Sequence, residues 1–350
     1  MCGILGEVAI NGNLVSKALF MNLLSMSKNR GPDNSGYYQN EKYIQLGFNR
    51  LSILDLSNIG NQPIRSQSGR FVMVYNGEIY NYLDIKGLLQ SNGINFFGTG
   101  DSEVIIEAFE YLGIKKTVKM LDGMFAIGLY DKKRKKLHLI RDFAGIKPLY
   151  YGFNKKMLVF ASQYDQIAKH PSFTNNSINP EVLKLYFSQH FIPAPFGLLK
   201  NTFQIMPGEI VTFDYRGNKI HNRYWELPSN NSYSINDSKI ALEYIGESLN
   251  NAVKAELISD VPVSAFLSGG IDSPLICYYA QKHLDNTLNA VSIGSNSVVH
   301  DETLKANKYG KLIGVNHNSI KIDGKFTLDM LSDIINSIRE PFADISLVPT

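Results

Sequence analysis

The sequence predicts two domains: an α+β domain of short strands with a few helices, then an α/β domain with a doubly wound parallel sheet. The chain has 350 residues, more than one hydrophobic core usually holds. Up to about residue 160, short apolar runs are separated by turns, whereas after residue 237 helices and strands alternate one by one. Residues 215–236, between the two patterns, contain turn-forming glycine, asparagine and proline, and we interpret them as a linker.

Apolar patterns indicate the elements of the first domain. Residues 71–75 form a continuous apolar run that stops at an Asn-Gly pair, which is typical of a buried strand. Residues 124–130 and 137–140 flank a basic turn and predict a hairpin. Residues 102–112 carry an apolar stripe behind Asp101, a candidate N-cap, and predict a helix. Further elements are a helix at 180–188 and strands at 157–162 and 209–213.

The second domain shows the alternation of a parallel sheet. Strands separated by single helices pair in parallel, with the helices covering the sheet. The predicted strands are residues 263–267, 289–293 and 318–322. The predicted helices are residues 238–257, 274–284, 302–313 and 328–338.

The composition excludes several classes of protein. Hydrophobic residues make up 44% of the chain and charged residues 19%, which excludes a disordered protein. No stretch approaches 18 consecutive apolar residues, which excludes a membrane span. The net charge is only +3, and the basic run at 132–136 has no interleaved aromatic residues, so we expect a solvated hairpin tip rather than a nucleic-acid site. Two cysteines form no disulfide framework and no signal peptide is present, so the sequence predicts a cytoplasmic protein.

Cys2 is a candidate nucleophile. Removal of Met1 would leave a free α-amine, with a pKa near 8, beside the thiol of the same residue. The amine could then act as the general base for its own side chain. Taken alone, a cysteine at the second position is usually incidental.

An ordered set of short segments supports the functional interpretation. Together they resemble the class II glutamine amidotransferase domain of asparagine synthetases, and the resemblance covers residues 2–214. The segments are MCGI (1–4), RGPD (30–33), RLSILDL (50–56), QP (62–63), NGEIYN (76–81), GTGDSE (98–103), LDGMFA (121–126) and RDFAGIKPLY (141–150).

This resemblance implies an N-terminal nucleophile hydrolase fold, with four layers in the order αββα. It also implies that Cys2 attacks the side-chain amide of glutamine. Asn76 and the main-chain N–H of Gly77 would form the oxyanion hole, where each donor can contribute about 3–4 kcal/mol. Arg50 would bind the α-carboxylate of glutamine.

Further roles follow from the same resemblance. Glu78 and Asp101 would hold the α-ammonium group of glutamine. Each residue also has an ordinary structural explanation: Asn76 and Gly77 as a turn, Arg50 as a surface ion pair and Asp101 as a helix cap. The glutamine pocket would be lined by Leu51, Ser52, Ile53 and Leu54.

Residues 268–273, with the sequence SGGIDS, lie between a predicted strand and a predicted helix. A glycine-rich turn before a helix presents main-chain N–H groups to phosphate, and Asp272 would face it through Mg²⁺. As a bare pattern, the segment is equally consistent with a simple glycine turn. It resembles the pyrophosphate loop of ATP pyrophosphatases, so residues 237–350 would be such a domain, truncated at its C-terminal end. The implied ATP-binding residues are Leu267, Ser268, Gly269, Gly270, Asp272, Ser273 and Ile293.

The two resemblances together imply a glutamine-dependent asparagine synthetase that uses ATP and Mg²⁺. It would hydrolyse glutamine and transfer the ammonia to ATP-activated aspartate, giving asparagine, AMP, pyrophosphate and glutamate. Two alternatives stay open: an amidotransferase for another carboxylate acceptor, and a truncated glutaminase or nucleotide-binding protein without synthetase activity. No nucleic-acid or membrane partner is expected, and a homodimer is compatible with the sequence.

Overall fold

A computed structural model describes residues 1–40, 42–228, 235, 237–295, 301–322, 330, 332–333 and 338–343. The chain divides into two compact units. The first comprises Met1–Leu227 and Arg339–Ala343, and the second comprises Pro228–Ile338 and Asp344–Thr350.

The first unit contains two six-stranded sheets and six α-helices within its described residues. Its strands are β1 (Gly3–Ala9), β2 (Asn34–Asn40), β3 (Ile44–Arg50), β4 (Ile64–Arg65), β5 (Phe71–Ile79), β6 (Gly123–Asp131), β7 (Lys136–Arg141), β8 (Tyr150–Phe153), β9 (Met157–Ala161), β10 (Thr202–Gln204), β11 (Glu209–Asp214) and β12 (Lys219–Arg223). Its helices are α1 (Lys17–Ser25), α2 (Tyr82–Gln90), α3 (Asp101–Leu112), α4 (Ile114–Met120), α5 (Tyr164–Ala168) and α6 (Pro180–Gln189). Sheet A has the order β10-β8-β9-β1-β3-β2 and sheet B the order β12-β11-β7-β6-β5-β4.

Side-chain alternation along the strands builds the four layers. In β5, Val72 and Val74 belong to the cluster shared by the two sheets, whereas Phe71, Met73 and Tyr75 pack against α2, α3 and α4. A third cluster joins the outer face of sheet A to α1 and α5. The order is therefore helices, sheet A, sheet B, helices, which confirms the predicted αββα arrangement.

The described part of the second unit alternates as expected. Its elements are α7 (Ser238–Glu256), β13 (Ser264–Phe266), α8 (Asp272–His283), β14 (Asn289–Ser295), α9 (Thr303–Ile313) and β15 (Asn316–Ile322). The three strands are parallel in the order β13-β14-β15, with one helix between successive strands. This confirms the predicted α/β class. Most of the helix expected at 328–338 lies outside the described residues.

Three expectations need correction. β5 does not stop after Tyr75 but continues to Ile79, because it stays paired with β6 as far as Ile79 opposite Gly123. Asp101 is the first residue of α3, and Gly100 occupies the cap position without a side-chain hydrogen bond. Part of the linker expected at 215–236 forms β12, which pairs with β11 as the edge strand of sheet B.

Candidate active site

One cleft in the first unit contains most of the residues predicted for glutamine chemistry. It opens where β1 begins, where β3 ends and where β5 meets α3. Gly3 in β1 lies opposite Asn49 in β3, so the residue before β1 lies beside the end of β3. The predicted residues that line the cleft are Cys2, Arg50, Leu51, Ile53, Leu54, Gly77, Glu78 and Asp101. Ser52 and Asn76 do not line it: the Ser52 N–H donates to Asp33 at 2.7 Å, and Asn76 is buried in β5.

The thiol of Cys2 faces the main chain of Leu51. The Leu51 N–H donates to Sγ at 3.4 Å, and the protonated thiol donates to the Leu51 carbonyl oxygen at 3.6 Å. Burial raises the pKa of the thiol, against the effects of the Leu51 N–H and the α-amine. Burial also lowers the pKa of the Met1 α-amine, which favours the neutral form that can accept a proton.

The side-chain amide of Asn76 is buried in β5, next to the cleft residues Gly77 and Glu78. The Nδ2 atom of Asn76 has no hydrogen-bond partner among the described residues. An unpaired buried donor costs about 1–3 kcal/mol, which a ligand oxygen within reach would recover. A Cβ atom on the adjacent Gly77 would collide with the Met124 carbonyl oxygen, so only glycine fits where the strand passes the cleft.

Two carboxyl groups lie at the end of β5 and the start of α3. Burial, and then the charge of Asp101, raise the pKa of Glu78 to about 8, against the opposing effect of Lys147. Burial also raises the pKa of Asp101, although Tyr75 Oη at 2.7 Å and the Ile79 N–H at 3.1 Å donate to its Oδ2. The charge of one carboxylate therefore opposes ionisation of the other, and a bound ammonium group would favour the ionised forms of both.

The guanidinium of Arg50 is directed at its own loop. Nη1 donates to the Ser57 carbonyl oxygen at 2.7 Å and to Asn61 Oδ1 at 2.8 Å. Nη2 donates to the carbonyl oxygens of Leu54, at 3.3 Å, and Asp55. Four of the five N–H bonds are used in this way, so among the described residues only Nε–H is left for a ligand. The sequence predicted a fork facing the glutamine carboxylate, and it could not show these local acceptors.

Asp55 joins the two loops that border the cleft, and sequence reasoning missed it as a site residue. Its Oδ2 accepts hydrogen bonds from the N–H groups of Thr99, at 2.9 Å, and Gly100, at 3.4 Å. Its Oδ1 accepts from Ser57 Oγ at 2.5 Å. Burial raises the pKa of Asp55, but these hydrogen bonds outweigh burial and leave the pKa below its usual value. Asp55 lies in the segment 50–56, which carries the family resemblance, and this position could have marked it as a site residue.

Lys147 is a second residue that sequence reasoning missed. Its side chain is buried, and burial lowers the pKa of the ammonium group, against the effect of Glu78 and Cys2. The Asp142 carboxylate accepts its main-chain N–H at 3.0 Å, which fixes this part of the segment 141–150. The charge of Lys147 lowers the pKa of Glu78, so Lys147 is a local source of positive charge for the site.

The glycine-rich loop belongs to the second unit and is described by itself. The Gly269 N–H donates to the carboxylate of Glu302 at 2.9 Å, so the loop already presents an amide to an anionic oxygen. Ser273 Oγ accepts from the Ser268 N–H at 2.8 Å and lies 2.8 Å from Ser268 Oγ. The α8 helix begins at Asp272, which adds its N-terminal dipole. These features fit a phosphate group.

The other predicted nucleotide residues lie on two adjacent strands or directly after them. Leu267 is buried, and its carbonyl oxygen accepts a hydrogen bond from the Ser292 hydroxyl. Ile293 is half-buried in β14. In the parts of the chain that the structure describes, no three His, Cys, Asp or Glu side chains converge as a metal site. Mg²⁺ at Asp272 would therefore need phosphate oxygens as further ligands.

Both units match known families. Residues 1–225 match the family described as glutamine amidotransferase domain, and residues 245–350 match the family described as asparagine synthase. A protein of Methanocaldococcus jannaschii described as a glutamine-hydrolysing asparagine synthetase is 34% identical over the whole chain, which covers 70% of that protein. The chain belongs to the glutamine-hydrolysing asparagine synthetase family. The predicted class of enzyme, a carbon–nitrogen ligase with glutamine as amide donor, is thereby confirmed at the level of the family.

The chain spans only part of the length of the curated relatives that it matches. Asparagine synthetase 1 of Bacillus subtilis is 29% identical over the whole chain, which spans 54% of that protein. A solved glutamine phosphoribosylpyrophosphate amidotransferase from B. subtilis, in complex with ADP and GMP, aligns with a TM-score of 0.48 at 16% identity, over 91% of this chain and 65% of that one. Among the described residues, no helix is both long and apolar enough to cross a membrane.

Proposed function

We propose that the first unit hydrolyses glutamine at Cys2 and that the whole chain acts as a glutamine-dependent asparagine synthetase. Glutamine hydrolysis is supported by one cleft that holds the Cys2 thiol and the carboxyl groups of Glu78 and Asp101. The buried amide of Asn76, on β5 beside this cleft, has no hydrogen-bond partner for Nδ2 among the described residues. Acyl transfer needs this combination of a nucleophile, an oxyanion donor and a group that orients the substrate.

Glutamine hydrolysis proceeds through a thioester on Cys2. After loss of Met1, the α-amine of Cys2 takes the thiol proton, and Sγ bonds to the side-chain carbonyl carbon of glutamine. The resulting oxyanion accepts hydrogen bonds from Asn76 Nδ2 and the Gly77 N–H. The tetrahedral intermediate then collapses, the C–N bond breaks, and ammonia leaves with the proton from the ammonium group. Water hydrolyses the thioester and releases glutamate.

The substrate is oriented by charge. Glu78 and Asp101 hold the α-ammonium group, and the positive charge of Lys147 favours the ionised form of Glu78. Arg50 offers Nε–H and its charge to the α-carboxylate while its other N–H bonds hold the loop. Leu51, Ile53 and Leu54 form the wall of the pocket, and Ser52 holds their loop through its N–H bond to Asp33.

The second unit is proposed to bind ATP and Mg²⁺. Ser268, Gly269, Gly270 and Ser273 would contact the phosphates, and Asp272 would hold Mg²⁺, which neutralises phosphate charge when bound. Leu267 and Ile293 would lie near the nucleoside. Aspartate is the proposed acceptor, and a cytoplasmic location and a homodimer stay predictions from the sequence.

Acceptor-dependent AMP formation tests this proposal and its alternatives. With ATP, Mg²⁺ and glutamine, aspartate should support AMP and pyrophosphate release, whereas sugar-acid and peptide carboxylates should not. Cys2→Ala should lose the reaction with glutamine and keep it with ammonium salts. Preference for another carboxylate would favour an amidotransferase with a different acceptor. Glutamine hydrolysis without AMP formation from any acceptor would contradict the synthetase half.

A further inference from the structure

A second cleft opens on the helix-covered face of sheet B. Its volume is about 530 Å³, within the range of about 300–1,000 Å³ typical of small-molecule sites. It lies between the junction of α3 with α4 and the strands β7, β11 and β12. Phe71 lines this cleft and Tyr75 lines the glutamine cleft, and the two residues are four positions apart on β5, or about 13 Å. The two clefts are therefore separate sites.

A buried imidazole with an unused nitrogen lines this second cleft. His138 is 8% exposed, and its Nδ1 lies 2.8 Å from Thr212 Oγ1. Its Nε2 is buried and has no hydrogen-bond partner among the described residues. Burial lowers the pKa of His138 to about 4, so the ring is neutral at pH 7 and Nε2 can serve one polar atom of a ligand.

The entrance of the second cleft carries net positive charge. Lys115, Lys116 and Arg134 line it and are exposed. Arg70 also lines it, but the Asp131 carboxylate neutralises this guanidinium through bonds of 2.7 and 3.2 Å. Three cations therefore remain available to an anionic group, with Glu110 as the acidic residue of the lining.

The inner wall of the second cleft is apolar apart from the polar strand residues His138, Thr212 and Asn222. The apolar residues of the lining are Phe71, Phe109, Leu112, Ile114 and Ile210. His138 and Thr212 lie opposite each other on β7 and β11. A ligand that fits this lining has an apolar body, a hydrogen-bonding atom at its buried end and a negative charge at its exposed end.

We propose that the second cleft binds a small organic anion, an aromatic or short aliphatic body with one carboxylate or phosphate group. The anionic group contacts Lys115, Lys116 and Arg134, the body packs on the apolar wall, and a polar atom pairs with His138 Nε2. This pairing removes the free-energy cost of a buried nitrogen without a hydrogen-bond partner. The site needs neither glutamine nor Cys2.

The probe is 4-hydroxybenzoate, which carries a carboxylate at one end and a hydroxyl at the other. Titration of the full chain, with ¹⁵N-labelled histidine observed by NMR, should shift the Nε2 resonance of His138 in a saturable way. Phenol, which lacks the carboxylate, and inorganic phosphate, which lacks the apolar body, should bind at least tenfold more weakly. An unshifted His138 resonance, or equal binding of phenol, would overturn the proposal.

Variants test the contacts separately. Lys115→Gln with Lys116→Gln should weaken 4-hydroxybenzoate binding at least tenfold and leave phenol binding unchanged. Lys132→Gln with Lys133→Gln removes the same charge from the exposed β6–β7 turn and should have no such effect. His138→Phe should abolish the preference for 4-hydroxybenzoate over benzoate. Because His138→Phe could disturb folding, the comparison of the two lysine pairs is a sufficient test by itself. If the Lys115/Lys116 and Lys132/Lys133 variants weaken 4-hydroxybenzoate binding equally, the proposed site is wrong.

Discussion

Glu78 and Asp101 are close enough that the charge of one opposes ionisation of the other. Burial adds to this effect, and the pKa of Glu78 is raised to about 8. At pH 7 the free site therefore holds Glu78 mostly as the neutral acid, which cannot attract an ammonium group. Glutamine binding and ionisation of Glu78 must be linked.

This linkage predicts that glutamine binds more tightly as pH rises toward 8. Only the ionised fraction binds the α-ammonium group, so the apparent Kd should fall about tenfold between pH 6 and 7 and level off above 8. Equilibrium binding to Cys2→Ala measures this without hydrolysis. In the same background, Glu78→Gln should bind weakly at every pH, while Glu181→Gln, an exposed residue on α6, should keep the profile. A flat profile with Glu78 intact would contradict the linkage.

Single residues also show the limits of sequence reasoning. The segments that contain Cys2, Gly77 and Glu78 were sufficient to group these residues, because the family resemblance fixes their order. Asp101 was interpreted as a possible cap, yet the donors to its Oδ2 atom are Tyr75 and Ile79, more than 20 residues away. Such a partner depends on how β5 passes α3, which no local pattern contains.

At the scale of elements, the loop after β3 owes its shape to two charged side chains. The Arg50 guanidinium donates hydrogen bonds to the carbonyl oxygens of Leu54, Asp55 and Ser57. The Asp55 carboxylate accepts hydrogen bonds from the N–H groups of Ser57 and Thr99, the latter in the loop before α3. Both side chains are buried, so the bonds are protected from water. The pocket wall is therefore preorganised before glutamine arrives.

Arg50→Lys is expected to destabilise the first unit as well as weaken glutamine binding. Lysine keeps the charge but cannot reach four acceptors in a plane, so the free energy of unfolding should fall by about 2 kcal/mol or more. Fluorescence of Trp225, the single tryptophan, reports this unit because its ring packs on Phe143 at 5.2 Å. Arg216→Lys, in an exposed turn, is the matched control. Weakened glutamine binding with unchanged stability would mean that the guanidinium serves substrate alone.

Elements with an internal pattern were predictable, and edge elements were not. The hairpin of β6 and β7 and the alternation of the second unit follow from apolar runs. β12 was not predicted because its side chains are mostly exposed and show no alternation of apolar and polar residues. Gly217, which suggested a linker, instead forms the β11–β12 turn with a φ of +83°.

At the scale of the whole molecule, each unit has its own hydrophobic core. Three clusters belong to the first unit, whereas a fourth, around Leu267, Cys277 and Ala290, belongs to the second. The proposed chemistry is divided in the same way, with glutamine at Cys2 and nucleotide at the glycine-rich loop. A change in one site should therefore leave the local chemistry of the other intact.

Asp272→Asn tests this division. It keeps the size of the side chain and removes the charge that would hold Mg²⁺, so ATP binding should lose most of its Mg²⁺ dependence, about tenfold or more in Kd. Glutamine hydrolysis should persist. Asp285→Asn, an exposed residue just after α8, should alter neither. Identical ATP binding by wild type and Asp272→Asn, with and without Mg²⁺, would reduce the loop to a structural turn.

The central claim is that Cys2, freed of Met1, is the nucleophile that hydrolyses glutamine. The most direct measurement is rapid-quench mass spectrometry of the chain during turnover, with glutamate release followed in parallel. The account predicts a glutamyl thioester on a peptide that begins at Cys2, loss of adduct and activity in Cys2→Ala, and retention of both in Cys277→Ala. Glutamate release by Cys2→Ala, or an adduct on a chain that still carries Met1, would contradict it.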